Sequence, residues 1–195
     1  ADSGYALHHV EVSEAGRKRL SDAGIRCSSA EDALPLSDVV VLAVPDHLIG
    51  KVAHQLSPEL KAGTMLIALD AAAPYAGHMP KRDDLVYFVT HPCHPPIFND
   101  ETDPAAQADH FGGVKAKQHI VCALMQGPDS AYALGEDVAR RLWHPVMRSH
   151  RVTVEQMAIL EPVLSETVGA TCITVIREAM DEAIRRGVPP QAAQD

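Results

Sequence analysis

The stretch SDVVVLAVPD, residues 37–46, carries an unbroken apolar run closed by a proline and an aspartate. A run this short and uniform suits a strand whose two faces are both covered, as in the sheets of α/β proteins. Its neighbours keep the same beat. ALHHVEV (6–12) reads as a strand and SEAGRKRLSDAG (13–24) as a helix ending at Gly24. DHLIGKVAHQL then reads as a helix, and GTMLIALD, DLVYFVTHP and KQHIVCALMQG as strands. PDSAYALGEDVARRLW reads as a helix opened by a proline and an aspartate. Strands and helices alternating at such short intervals predict an α/β domain over 1–150, a Rossmann-type parallel sheet with helices on both faces. The sequence shows neither an internal repeat nor a low-complexity segment.

Past HPVMRSHRVT the beat stops. From Thr153 the pattern is long and helical, VEQMAILEPVLSETVGATCITVIREAMDEAIRRG, with Gly187, Pro189 and Pro190 marking its end. Residues 151–195 are therefore expected to begin an all-helical second domain for substrate binding or dimerisation. They supply too little material to close a core, so a second subunit or further residues must complete it, and the apolar helix face predicts a homodimer. At the other end, a strand at 6–12 would be the second of a dinucleotide fold. A first strand and a glycine-rich phosphate turn are expected before it, yet only ADSGY precedes it and no GxGxxG occurs.

Composition narrows the function. With 195 residues and 46% hydrophobic side chains, the chain can bury one sizeable core or one core plus part of another, and a soluble globular protein is expected. No apolar run is read as approaching the ~20 residues of a membrane helix, and residues 1–20 lack a signal pattern, so neither a membrane nor export is expected. Cys27, Cys93, Cys122 and Cys172 form no CxxC pair, which favours reduced thiols in a cytoplasm. A net charge of -9 without a basic stripe, and 4% aromatics, argue against nucleic acid.

In a parallel sheet, ligands bind beyond the carboxyl ends of the strands. Glu11 stands where an acid would bind both adenosine ribose hydroxyls of NAD; an exposed strand glutamate is the alternative. Val44, Pro45 and Asp46, in VPDHLIG, stand where many dehydrogenases line the nicotinamide side, although Asp46 as a plain helix N-cap satisfies the same residues. Asp70 ends the next strand near the same crevice, with a turn or capping role as its simpler reading.

The segment THPCHPPIFNDE, 90–101, concentrates reactive side chains. His91 and His94 are expected just past a strand end, on a loop stiffened by Pro92, Pro95 and Pro96. One of them could accept an alcohol proton as hydride leaves, or bind a divalent metal. Glu161 precedes Pro162, and Glu166 lies in an apolar run where an unpaired carboxylate would be costly. No lysine follows Lys117, which removes an ammonium from the helix and favours a metal between it and the histidine loop. A salt bridge from the glutamate to Arg148, Arg151 or Arg177 is the competing reading.

These segments, with HHVEVSEAGRKRL, FGGVKAKQHIVCALMQGP and VMRSHRVTVEQMAILEPVLSETV, resemble the D-apionate oxidoisomerase family, and the likeness covers nearly the whole chain. The resemblance implies an NAD-linked enzyme that oxidises the 2-hydroxyl of D-apionate and moves a hydroxymethyl group from C3 to C2. It implies metal ligation by His91 and by Glu161 or Glu166, with His94 as a further ligand or proton carrier and Glu166 within the catalytic set. Acetohydroxyacid isomeroreductases combine similar steps in a similar layout. Arg148, His150 and Arg151, read as lying at the domain junction, are candidates for the substrate carboxylate, with a surface or interdomain salt bridge the alternative for each. Magnesium, manganese, zinc and calcium all suit the donor set. A simple hydroxyacid dehydrogenase with His91 as base, like prephenate dehydrogenases, and a non-enzymatic NAD- or metal-binding module are the competing functions.

Overall fold

The structure, a computed structural model, describes residues 4–96 and 100–194. Two compact units divide the chain, Ala1–Val154 and Glu155–Asp195. In the first, helix α1 (Glu14–Asp22) starts where Ser13 Oγ accepts the Gly16 N–H at 3.0 Å, and the chain leaves it through Gly24 in the left-handed region. Short α2 (Ala30–Ala33) precedes strand β1 (Val39–Leu42). Then come α3 (Asp46–Leu56), β2 (Met65–Ala68), α4 (Ala72–Tyr75), β3 (Val86–Pro92), α5 (Pro104–Gln107) and β4 (Gln118–Gln126). Helix α6 (Tyr132–Leu142) and strand β5 (Val146–Arg151) complete the unit.

The strands lie side by side in the order β1-β2-β3-β4-β5. Three neighbouring pairs are parallel, and β3 with β4 is antiparallel, so the sheet is mixed rather than all-parallel as the sequence pattern suggests. An apolar run announces a strand but not its direction, which the connection sets. Between β3 and β4 the described chain offers only the one-turn α5, far short of the crossover helix a parallel return needs.

Two further expectations change. Residues 6–12 form no ladder: only His9 pairs, through a single parallel bridge to Cys27. Alternating side chains give a stretch strand character, but a strand exists only where a neighbour takes up its backbone groups. Conversely, HPVMRSHRVT, read as a junction, is the edge strand β5, parallel to β4. This edge strand is half wet and carries Arg148, His150 and Arg151, so it lacks the apolar signature of its neighbours.

Alternation of side chains across the pleat divides the sheet into two faces. Met65, Ile67, Val86, Phe88, Ile120 and Cys122 form one face, closed by Ala139 of α6. Gly135 of α6 lies so near the Phe88 ring that an added Cβ would stand 2.4 Å from it. Thr90 and Cys122 meet at 3.4 Å on this face, and the Trp143 indole N–H donates to Thr90 at 3.3 Å. Ile49 and Ala53 of α3, which rests on β1, are fully buried outside that cluster.

The second unit is helical. Helix α7 (Val154–Leu160) passes into a π-helical segment, Glu161–Gly169, then α8 (Ala170–Arg185), and α9 (Pro190–Gln194) follows Gly187. The π register begins beside Pro162, which has no N–H for an α-helical bond and whose ring crowds the carbonyl four residues back. By length and composition alone, Val154–Arg185, 32 residues, is long and apolar enough to cross a membrane. The sequence pattern leads to the opposite expectation; Glu161 and Glu166 stand within this stretch, and a carboxylate near a bilayer centre costs about 3 kcal/mol.

Candidate active site

The carboxyl ends of β2 and β3 bring two of the expected residues together. Asp70, two residues past β2, is buried, and its Oδ1 accepts the Ala72 N–H at 2.7 Å where α4 begins. A carboxylate oxygen of Asp70 and a ring nitrogen of His91 lie within 4.8 Å of one another. The turn role expected for Asp70 is therefore present, together with a second neighbour that the sequence did not reveal. His91 is not on a loop: it is the next-to-last residue of β3, held by the ladder to Val121 of β4.

Hydrogen bonds orient both histidine rings. Nδ1 of His91 stands 2.8 Å from the Pro92 carbonyl, and Nδ1 of His94 stands 3.0 Å from the Phe111 carbonyl. A carbonyl only accepts, so each Nδ1 is the donor, and in the neutral ring the lone pair lies on Nε2. A histidine that ligates a metal or takes a proton through Nε2 is commonly oriented in this way. The two rings meet edge to face with centroids 6.3 Å apart.

His94 adopts φ 59°, a left-handed backbone that a histidine tolerates better than most side chains. Its ring is held by Phe111, edge to face at 5.8 Å. Phe111 in turn lies in a turn gathered by one carboxylate: Asp109 Oδ2 accepts the N–H groups of Val114, Lys115 and Ala116 at 3.0, 2.8 and 3.0 Å. Those donors hold the Asp109 carboxyl below its ordinary range. Sequence reasoning missed Asp109 and Phe111; the only signal was an acid a few residues before a Gly-Gly pair, a weak mark of a carboxylate-centred turn. Ile97, Phe98 and Asn99 of the THPCHPPIFNDE segment lie outside the described residues.

The remaining candidates scatter. Glu11 sits over the start of α1, where its Oε1 accepts the Ser13 N–H at 2.7 Å. That bond holds its carboxyl below the ordinary range, and a side chain on Gly16 would collide with it. Val44 is half-buried at the bend after β1, and Pro45 precedes α3. Asp46 is the first residue of α3 rather than its N-cap, and no side chain caps that helix. It borders an open groove of about 760 Å³ between α3 and α4.

Arg148, His150 and Arg151 do not all share a face of the sheet. On β5 the pleat sends Arg148 and His150 to one face and Arg151 to the other, where it pairs with Asp129 and covers the Tyr132 ring at 4.3 Å. In the second unit Glu161 is half-buried at the start of the π segment, whereas Glu166 is exposed. The expected burial of Glu166 fails because the apolar residues around it, Val163, Leu164 and Val168, are themselves exposed. Arg151 is committed to Asp129 and Arg177 to Asp181.

A family model described as the C-terminal part of phosphogluconate dehydrogenase (decarboxylating) matches residues 99–195, starting inside the first unit. A protein of Rhizobium rhizogenes named D-apionate oxidoisomerase is 65% identical over 99% of this chain and 70% of its own length. The crystal structure of a semialdehyde dehydrogenase NAD-binding protein from Cupriavidus necator, in complex with calcium and NAD, superposes with a TM-score of 0.92. It is 61% identical, over 100% of this chain and 70% of that one. An NADH-preferring ketol-acid reductoisomerase from an uncultured archaeon shares the fold alone, at 18% identity and a TM-score of 0.71 over 98% of this chain and 58% of that one. With such identity sustained along nearly its entire length, the chain belongs to the D-apionate oxidoisomerase family.

Proposed function

We propose that the chain acts as an NAD-dependent oxidoisomerase that converts D-apionate to 3-oxo-isoapionate, in the cytoplasm and as a homodimer joined through its C-terminal helices. The observation that carries this reading is the 65% identity to a D-apionate oxidoisomerase over 99% of the chain. The paired histidines, each with its lone pair on Nε2, add the chemistry the reaction needs.

The conversion has two stages. In the first, the C2 hydroxyl loses its proton and C2 loses a hydride, leaving a ketone. Nε2 of His91 or His94 accepts that proton, a task matched to an imidazole near neutral pH. NAD, when bound, accepts the hydride; Glu11 would hold its adenosine ribose, and Val44, Pro45, Asp46 and Asp70 would border its nicotinamide side. In the second stage the C3 hydroxyl loses its proton and the C3–CH2OH bond breaks as the same carbon bonds to C2. C3 becomes the ketone and the C2 oxygen takes up a proton, with no further oxidation.

The donors suit a divalent cation: an oxygen of Asp70 and a nitrogen of His91 stand close together, and Glu161 or Glu166 would add a carboxylate. Such an ion, when bound, would polarise the C2 ketone and acidify the neighbouring hydroxyl. Calcium accompanies NAD in the relative from Cupriavidus necator; magnesium, manganese and zinc suit the same donors.

The test uses the full-length protein stripped with chelator and mixed with NAD and D-apionate, following NADH with and without added divalent metal and reading the product skeleton by NMR. Metal-dependent NADH with a rearranged skeleton is the expected result. Metal-independent NADH with an unrearranged ketone would make the protein a plain hydroxyacid dehydrogenase with His91 as base.

A further inference from the structure

A second constellation lies on the sheet face that carries His91. The register pairs His91 of β3 with Val121 of β4, and Val121 with His150 of β5; it also pairs His119 with Arg148. Residues paired in a ladder share a face, so His91, His119, Arg148 and His150 all point to one side. The hydrogen bonds of the intervening residues agree, because Thr90, Cys122 and Ser149 meet on the opposite side. The His119 and His150 rings are 5.6 Å apart.

Among the described residues no carboxylate pairs with His119, Arg148 or His150. Arg148 ion-pairs with none of their carboxylates, although the chain carries a net charge of -9 and Arg82, Arg140, Arg141, Arg151 and Arg177 each hold one. His119 Nδ1 is shut off from solvent with no hydrogen-bond partner. A buried nitrogen without an acceptor keeps its lone pair at lower cost than a proton, which places the proton on Nε2 and makes that atom a donor. Burial, with His150 and Arg148 alongside, holds the His119 imidazole below its ordinary range. One guanidinium and two imidazoles, side by side and without a counter-charge, form a receptor for a carboxylate.

We propose that His119, Arg148 and His150 bind the substrate's carboxylate, and that the site takes short acids whose reacting hydroxyl is one or two carbons from that carboxylate. Adjacent strands are about 4.8 Å apart, so a carboxylate above β4 and β5 lies roughly one to two strand spacings from His91 on β3. A 2-hydroxy acid bridges that separation once the side chains reach inward; a chain with its carboxylate at the far end overshoots. Arg151, on the other face, takes no part. This site rests on the reading of His91 as the place where the hydroxyl reacts.

Arg148→Gln and His150→Gln, both at exposed strand positions, test it in the full-length enzyme. With D-apionate, KM is expected to rise roughly tenfold to a hundredfold while kcat changes little, as for loss of a charge-assisted hydrogen bond made equally in ground and transition states. The uncharged amide of D-apionate should bind both variants as weakly as it binds the wild type. An unchanged KM for the acid, or an equal loss for the amide, overturns the proposal.

A binding measurement separates this from failure of the proposed reaction. Titrating D-glycerate into the wild-type protein should move the imidazole NMR signals of His119 and His150, and R148Q should abolish the shift, whether or not D-apionate turns over. Absence of any shift in the wild type also overturns the site.

Discussion

Asp70 joins a structural task to a chemical one in a single carboxylate, and the two can be separated. Oδ1 accepts the Ala72 N–H at 2.7 Å, which opens α4, while the charge faces a ring nitrogen of His91. Asp70→Asn keeps an acceptor of the same shape and removes the charge. The variant is expected to hold its melting temperature within a few degrees, yet to need roughly tenfold to a hundredfold more divalent metal for half-maximal activity. Unchanged metal dependence would leave Asp70 a cap and nothing more. At this scale the sequence was a fair guide to residue type and a poor one to company. His91 and His94 stood out by composition, whereas their tautomers depend on carbonyls of Pro92 and Phe111, and the second of those comes from a turn distant in sequence.

Elements show which physical signals travel in a sequence. Helix α6 rests on the sheet through Gly135, where a Cβ would stand 2.4 Å from the Phe88 ring. Alanine in place of a mid-helix glycine ordinarily stabilises by about 0.5–1 kcal/mol. Here overpacking against a fully buried ring costs about 1–3 kcal/mol and wins. Gly135→Ala is therefore expected to lower the melting temperature, by about 2–4 °C for each kcal/mol lost in a domain of this size, which differential scanning calorimetry would read. Strand β2 was legible because uniform burial writes an apolar run, and β1 by its run of valines, although only Leu42 of it is fully buried. The reversed direction of β4 was not, since direction resides in the connection. Edge strand β5 was hidden by its own wetness, and the pattern at 6–12 promised a strand for which the described chain offers only Cys27 as partner. The π segment was foreshadowed only by Pro162.

For the whole molecule, the helical unit sets the most open question of association. Leu164, Ile173 and Ile176 are 58%, 59% and 68% exposed, more apolar surface than a free helix keeps without cost. A homodimer through these helices should give a light-scattering mass of twice the subunit, and Ile176→Glu should shift it to the monomer at micromolar concentration. A wild-type protein that runs as a monomer would remove the dimer from the proposal.

Because β4 runs against β3, the connection at 93–117 departs from and returns to the same edge of the sheet, the edge where His91 and Asp70 lie. Both its feet are pinned by ladder hydrogen bonds, and no strand register depends on its length. Lengthening or trimming that span could thus change what reaches the histidines while the sheet beneath stays as it is, so new substrate preferences could arise there by insertion and deletion alone.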